Sequence, residues 1–232
     1  MSPAHVTPEA GQPAEPKLPG YPPPPRSEPH WPPELSVALA IVLQVLLPDR
    51  VTPGPAWLLP ALEALVLITL FIASPQRVVE EHTPRRRLAL GVTALVSIAN
   101  AISLVLLVSE LLHKNVFRGS ELIIAGVLIW LTNVLLFGLW FWEIDRGGPG
   151  RRASGNDGPP DFLFPQLADD RISPGWRPTF LDYLYVSTTN AAAFSPTDTM
   201  PLTTMAKSLM GLQSLVSLVT IGLVVSRAVN IL

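Results

Sequence analysis

Cysteine is absent from this 232-residue chain, which excludes disulfides, thiolate metal sites and a cysteine nucleophile. Charge is scarce: Asp, Glu, Lys and Arg make up 15% of the residues and leave a formal net charge of −2. That balance provides no electrostatic footprint for nucleic acid, so no nucleic-acid partner is expected. The four histidines, His5, His30, His82 and His113, show no metal-ligand spacing, and no metal site is expected. Also missing are G-x-S-x-G, H-E-x-x-H and a Gly-rich phosphate-cradling loop. Asp169 and Asp170 sit in a polar linker with no organised partner and read as solvated. We therefore expect no enzyme, no catalytic residues and no cofactor.

Apolar residues, by contrast, form 48% of the chain, and the mean hydropathy is positive despite 26 prolines. This is a membrane composition, since several runs approach the roughly 18 to 20 apolar residues that a helix needs to cross a bilayer. The expected partner is the lipid bilayer, and the expected location is the cell membrane, in a multi-pass arrangement. Residues 1–34 include Pro22, Pro23, Pro24 and Pro25 and few residues that build a core. They are expected to form a disordered or polyproline II tail without the apolar stretch of a signal peptide. A proline-recognition partner is one use for such a tail; a solvated tether is the plainer one.

Residues 35–142 carry the membrane helices. Glu34–Leu47 is short and bounded by prolines, with Pro33 suited to a first helical turn. Ala56–Ala73 contains Pro60 and Glu63, and Leu88–Leu112 and Leu122–Trp142 are long enough to cross. The latter ends in Trp140, Phe141 and Trp142, which fit an interfacial aromatic belt in a packing or anchoring role. Residues 143–178 form a polar linker in which Phe162, Leu163, Phe164 and Pro165 offer a piece that folds back. With a last span over Leu209–Val229, the expected fold class is all-α. It is a polytopic helical membrane protein of four membrane helices, one short helix and a re-entrant pore-helix-like segment.

That segment belongs to residues 179–232. Thr179 followed by Asp182 reads as a capping box, and a helix over 180–190 is too short to span, so it is re-entrant or interfacial. Tyr183 and Tyr185 suit the interface. Asp198, Pro201, Thr203, Ala206 and Lys207 then form Asp-x-x-Pro-x-Thr followed by a small and a basic residue. This frame resembles the pore-loop hairpin of potassium channels, over about residues 120–232 and in detail over 179–210. In outline the last spans also resemble those of bacterial integral membrane proteins of unassigned activity.

The resemblance places Ala192, Ala193, Phe194, Ser195, Pro196 and Thr197, followed by Asp198, where that family has its Thr-Thr-Val-Gly-Tyr-Gly filter. Both filter glycines are missing, and Pro196 is locked near φ of about −65°, so a potassium-selective carbonyl cage is not expected. Three readings stay open. One is a divergent pore in which Ser195, Thr197 and Asp198 supply oxygens and the negative end of the short helix favours a cation. The second is a channel scaffold that no longer conducts, and the third a chance likeness in a turn-rich membrane loop. A pore implies a homo-oligomer, because one hairpin encloses none.

Polar residues within the spans extend the site. Gln213, Ser217 and Thr220, with Arg227, share one face of the last helix, either lining a pore or bonding between helices. Thr93, Ser97, Asn100, Ser103 and Glu110 stripe an earlier helix, and Asn133 sits mid-span in the next. Glu63, an acid inside a span, is a functional-site candidate whose structural alternative is pairing with Arg227 or Asn100. Arg77, Arg85, Arg86 and Arg87 place their loop, and with it residues 143–178, in the cytoplasm, whereas potassium channels carry the pore loop outside. The expected function is passage of a small cation through a divergent pore. The alternative is a non-conducting membrane scaffold that binds a partner through the Pro-rich tail.

Overall fold

The structure, a computed structural model, describes residues 31–52, 83–112, 119–154, 158–168, 175–195 and 198–229. The Pro-rich tail through residue 30, the candidate span Ala56–Ala73 with Glu63, Arg77, the Asp169–Asp170 pair, and Pro196 and Thr197 lie outside the described residues.

Helices dominate. In chain order they are α1 (Trp31–Val45), α2 (Thr83–Leu112), α3 (Gly119–Ile144), α4 (Pro149–Ser154), α5 (Pro165–Ala168), α6 (Phe180–Ala193) and α7 (Thr204–Val229), with single 3₁₀ turns at Asp49–Val51 and Asp145–Gly147. Among the described residues, three helices are long and apolar enough to cross a membrane: Arg86–Leu112, Ser120–Gly147 and Thr204–Arg227. α1 is shorter, at 15 residues, and starts at Trp31 with Pro32 and Pro33 in its first turn, where missing N–H groups cost nothing. Each long helix begins three to five residues before the apolar run that marks it in the sequence, because the first turn tolerates polar residues such as Ser120 and Glu121.

α3 is the central post, packing against α1, α2, α6 and α7. Its apolar window is 61% buried, against 44% for α2 and 22% for α7, so α7 shows most of its surface to the surroundings. The near ends of α2 and α3 are joined by Arg86, whose guanidinium donates to the Glu143 carbonyl at 3.1 Å and pairs with its carboxylate at 3.5 Å. We call this the cap end. At the far end, Leu47 and Val51 pack with Leu104, Leu107 and Leu122.

α3 ends at Ile144, and in the 3₁₀ turn that follows Arg146 takes φ 53°, with Gly147 and Gly148 at φ 81° and 100°. The left-handed turn there reverses the chain, and glycine supplies it without a Cβ clash. The linker that follows is not a solvated loop throughout. Phe162 and Phe164 are 1% and 3% exposed and join Phe137, Phe141, Trp142, Phe180 and Tyr183 in one aromatic cluster. Phe141 and Trp142 thus pack inward under the linker instead of forming a belt. Beside them, the Trp140 indole donates to Ser97 Oγ at 3.0 Å. A two-residue strand, β1 (Phe162–Leu163), pairs antiparallel with β2 (Met200–Pro201), a small addition to an otherwise helical architecture.

Candidate functional site: a re-entrant hairpin

Residues 175–229 build the site from the cap end inward. At the start of α6 the Asp182 carboxylate accepts from Thr179 N at 2.7 Å and from Thr179 Oγ1 at 2.8 Å, as the capping spacing predicts. The helix has 14 residues, about 20 Å at roughly 1.5 Å per residue, which is short of a bilayer's apolar thickness of about 30 Å. It ends on Phe194 with φ 53° and ψ 30°. The chain returns to the cap end, where Met200–Pro201 pairs with Phe162–Leu163, and α7 starts again from that end. α6 and α7 therefore run inward side by side from one end of the bundle.

Three side chains fix the entry of α6. Asp145, fully buried, accepts from Asp161 N at 2.8 Å, from Phe162 N at 3.2 Å and from the Tyr183 hydroxyl at 2.6 Å. Arg152 is 5% exposed; its guanidinium donates to the Trp142 and Asp145 carbonyls at 2.8 Å each and lies over the Trp142 and Tyr183 rings. Asp161 also accepts from the Thr203 hydroxyl and, through its carbonyl, from Leu202 N. Both limbs of the hairpin are thus tied to the linker. Tyr183, expected at the interface, is fully buried because the linker aromatics close over it; Tyr185 is 55% exposed.

Deeper in, a ladder of neutral polar groups joins α3, α6 and α7. Ser187 Oγ donates to Val134 O at 2.6 Å, and Gln213 Nε2 donates to Ser187 O and Oγ at 2.9 and 2.7 Å. Asn190 Nδ2 donates to Gln213 Oε1 and to Met210 O, while its own oxygen accepts from Ser214. Asn133 donates to Ser217 Oγ at 3.0 Å. Ser187, Gln213, Ser217 and Thr220 are fully buried, and Thr220 bonds the Val216 carbonyl of its own helix. Of the two roles open to this face of α7, the single chain uses Gln213 and Ser217 for bonds between helices.

Of the filter-like residues, Ala192, Ala193, Phe194, Ser195 and Asp198 are all exposed, and Ser195 and Asp198 each have a polar or charged interaction. Phe194 and Ser195 stand at the tip of the hairpin, just past Asn190, which meets Gln213 of α7, whereas Asp198 lies two residues from Met200 on the return to the cap end. On α2, Asn100 donates to Ile129 O and Thr93 to Ala89 O; on α7, Arg227 Nε is buried without a hydrogen-bond partner.

Sequence reasoning missed Asp145, Arg152, Asp161, Ser187 and Asn190. The first three lie in a linker read as aqueous, and only their buried setting distinguishes them. Ser187 and Asn190 are spaced by three on α6 and face Gln213, a pairing that period-3.6 matching across both segments would have exposed. Among the described residues no group of three or more His, Cys, Asp or Glu side chains is placed to hold a metal ion. No family model, curated protein or solved structure matches the chain.

Proposed function

We propose that the chain is a polytopic membrane protein whose C-terminal hairpin forms part of a divergent pore for a small cation. The observation that carries this reading is the exposed, irregular backbone at the hairpin tip. Phe194 and Ser195 leave α6 just past Asn190, which bonds Gln213 of α7; with α7 spanning a bilayer, that level lies inside its apolar core. Lipid does not satisfy backbone polar groups there; such segments persist only when protein or a water-filled path covers them. The Phe194 and Ser195 side chains are exposed in the single chain, and further copies around a shared aqueous path would cover them. The end of α6 points its partial negative charge at that path and Ser195 adds an oxygen there, with Asp198 nearer the mouth at the cap end, which suits a cation.

The two ends of the described bundle are marked by Val51 packed with Leu104 and Leu107 and by Arg86 paired with Glu143. Reconstitution into liposomes tests the pore: monovalent cation flux above empty vesicles is expected, and its absence from correctly inserted protein would count against conduction.

A second reading has its own support. The ladder of Ser187, Asn190, Gln213 and Ser217 is saturated within one chain, as a non-conducting scaffold needs. On that reading the hairpin is structural and the Pro-rich tail holds a partner. Flux at the level of empty vesicles, with a folded and inserted protein, would favour it.

A further inference from the structure

Away from the hairpin, α1, α2 and α3 share two apolar clusters with a polar layer between them. Gln44 stands between Leu43 and Leu47, Asn100 between Val96 and Leu104, and Thr132 between Ile129 and Leu135. Gln44 and Asn100 are 4% and 3% exposed, and Ser103 and Thr132 are buried as well. Gln44 Nε2 donates to Val96 O at 3.3 Å, and Asn100 Nδ2 to Ile129 O at 3.4 Å. Val96 lies one helical turn before Asn100, so both amides border the same turn of α2.

Their carbonyl oxygens, Gln44 Oε1 and Asn100 Oδ1, are buried and accept nothing. Turning either amide over would set its oxygen against the Val96 or Ile129 carbonyl, which gives no relief. Two acceptors do not satisfy each other, and buried acceptors are rarely left unpaired. What fits the layer brings positive charge or hydrogen. Amide and hydroxyl oxygens are hard ligands, and with no carboxylate among the described residues of this layer they suit a monovalent ion better than a divalent one.

We infer that Gln44 Oε1 and Asn100 Oδ1 ligate a small monovalent cation, sodium or potassium, with the Ser103 and Thr132 hydroxyls beside them in the layer. The site is separate from the hairpin and does not depend on conduction. Thermal unfolding of the purified full chain in detergent tests it, in sodium, potassium and choline chloride at equal ionic strength. The melting temperature is expected to rise by roughly 3 °C in sodium or potassium relative to choline. Gln44→Leu and Asn100→Leu should each abolish the rise. Equal melting in all three salts would mean that water alone fills the layer and would overturn the inference, as would a rise that survives both substitutions. The wild-type comparison needs no variant, and equilibrium dialysis with radioactive sodium or rubidium reads binding directly should either variant fail to fold.

Discussion

Within the hairpin, single side chains divide into a charged cap and a neutral ladder, and the two should respond differently to substitution. The Tyr183 hydroxyl meets a fully buried carboxylate, so Tyr183→Phe removes one charge-assisted hydrogen bond and should cost about 1.5–3 kcal/mol. Asp145→Ala strips acceptors from the hydroxyl and from two backbone N–H groups, and a loss of roughly 3–5 kcal/mol is expected. Denaturation in mixed micelles measures both. A cost below that of an exposed control such as Ser208→Ala would show that the cap does not hold α6. In the ladder, an Asn190→Ala and Gln213→Ala double-mutant cycle should give a coupling of about 0.6–1.7 kcal/mol, the range for neutral bonds between membrane helices.

Close approach between elements depends on two glycines of α3. A Cβ on Gly138 would meet Leu184 Cα at 3.3 Å, and one on Gly126 would run into Val224 Cγ2. Gly138→Ala presses on backbone and should displace α6, at about 1–3 kcal/mol. Gly91 of α2 has nothing within 4 Å, so Gly91→Ala should stabilise the helix by about 0.5–1 kcal/mol. Melting temperatures of opposite shift for the two variants are the expected outcome; a gain for Gly138→Ala would contradict the packing of α6 on α3. The sequence made α6 legible through its Thr179 cap, and the long helices through apolar runs that start three to five residues late. Phe162 and Phe164 were legible as a piece that folds back but not in where they pack, and Asp145 was not legible, because short apolar or charged pieces in a Gly/Pro-rich linker carry no periodicity. Their burial comes from tertiary packing on Phe141 and Tyr183, which only the fold reveals. The filter-like tip was legible as a departure from glycine, and Phe194 still adopts the left-handed conformation there at φ 53°.

For the whole molecule, the cap end gathers Arg86, Arg151, Arg152, Arg177 and Lys207 together with the start of both hairpin helices. The positive-inside rule predicts that this end faces the cytoplasm, the reverse of the potassium-channel arrangement. In this cysteine-free chain, Arg151→Cys and Lys207→Cys should label from the same side with an impermeant reagent, and Glu121→Cys from the other. Labelling of Arg151→Cys and Lys207→Cys from opposite sides would break the re-entrant geometry. The central claim, that the hairpin tip stands in a water-filled cation path, is tested most directly by Ser195→Cys in proteoliposomes. Addition of a charged, water-soluble thiol reagent should reduce cation flux to the level of empty vesicles. Flux that continues unchanged after Ser195→Cys is shown to be modified would contradict the claim.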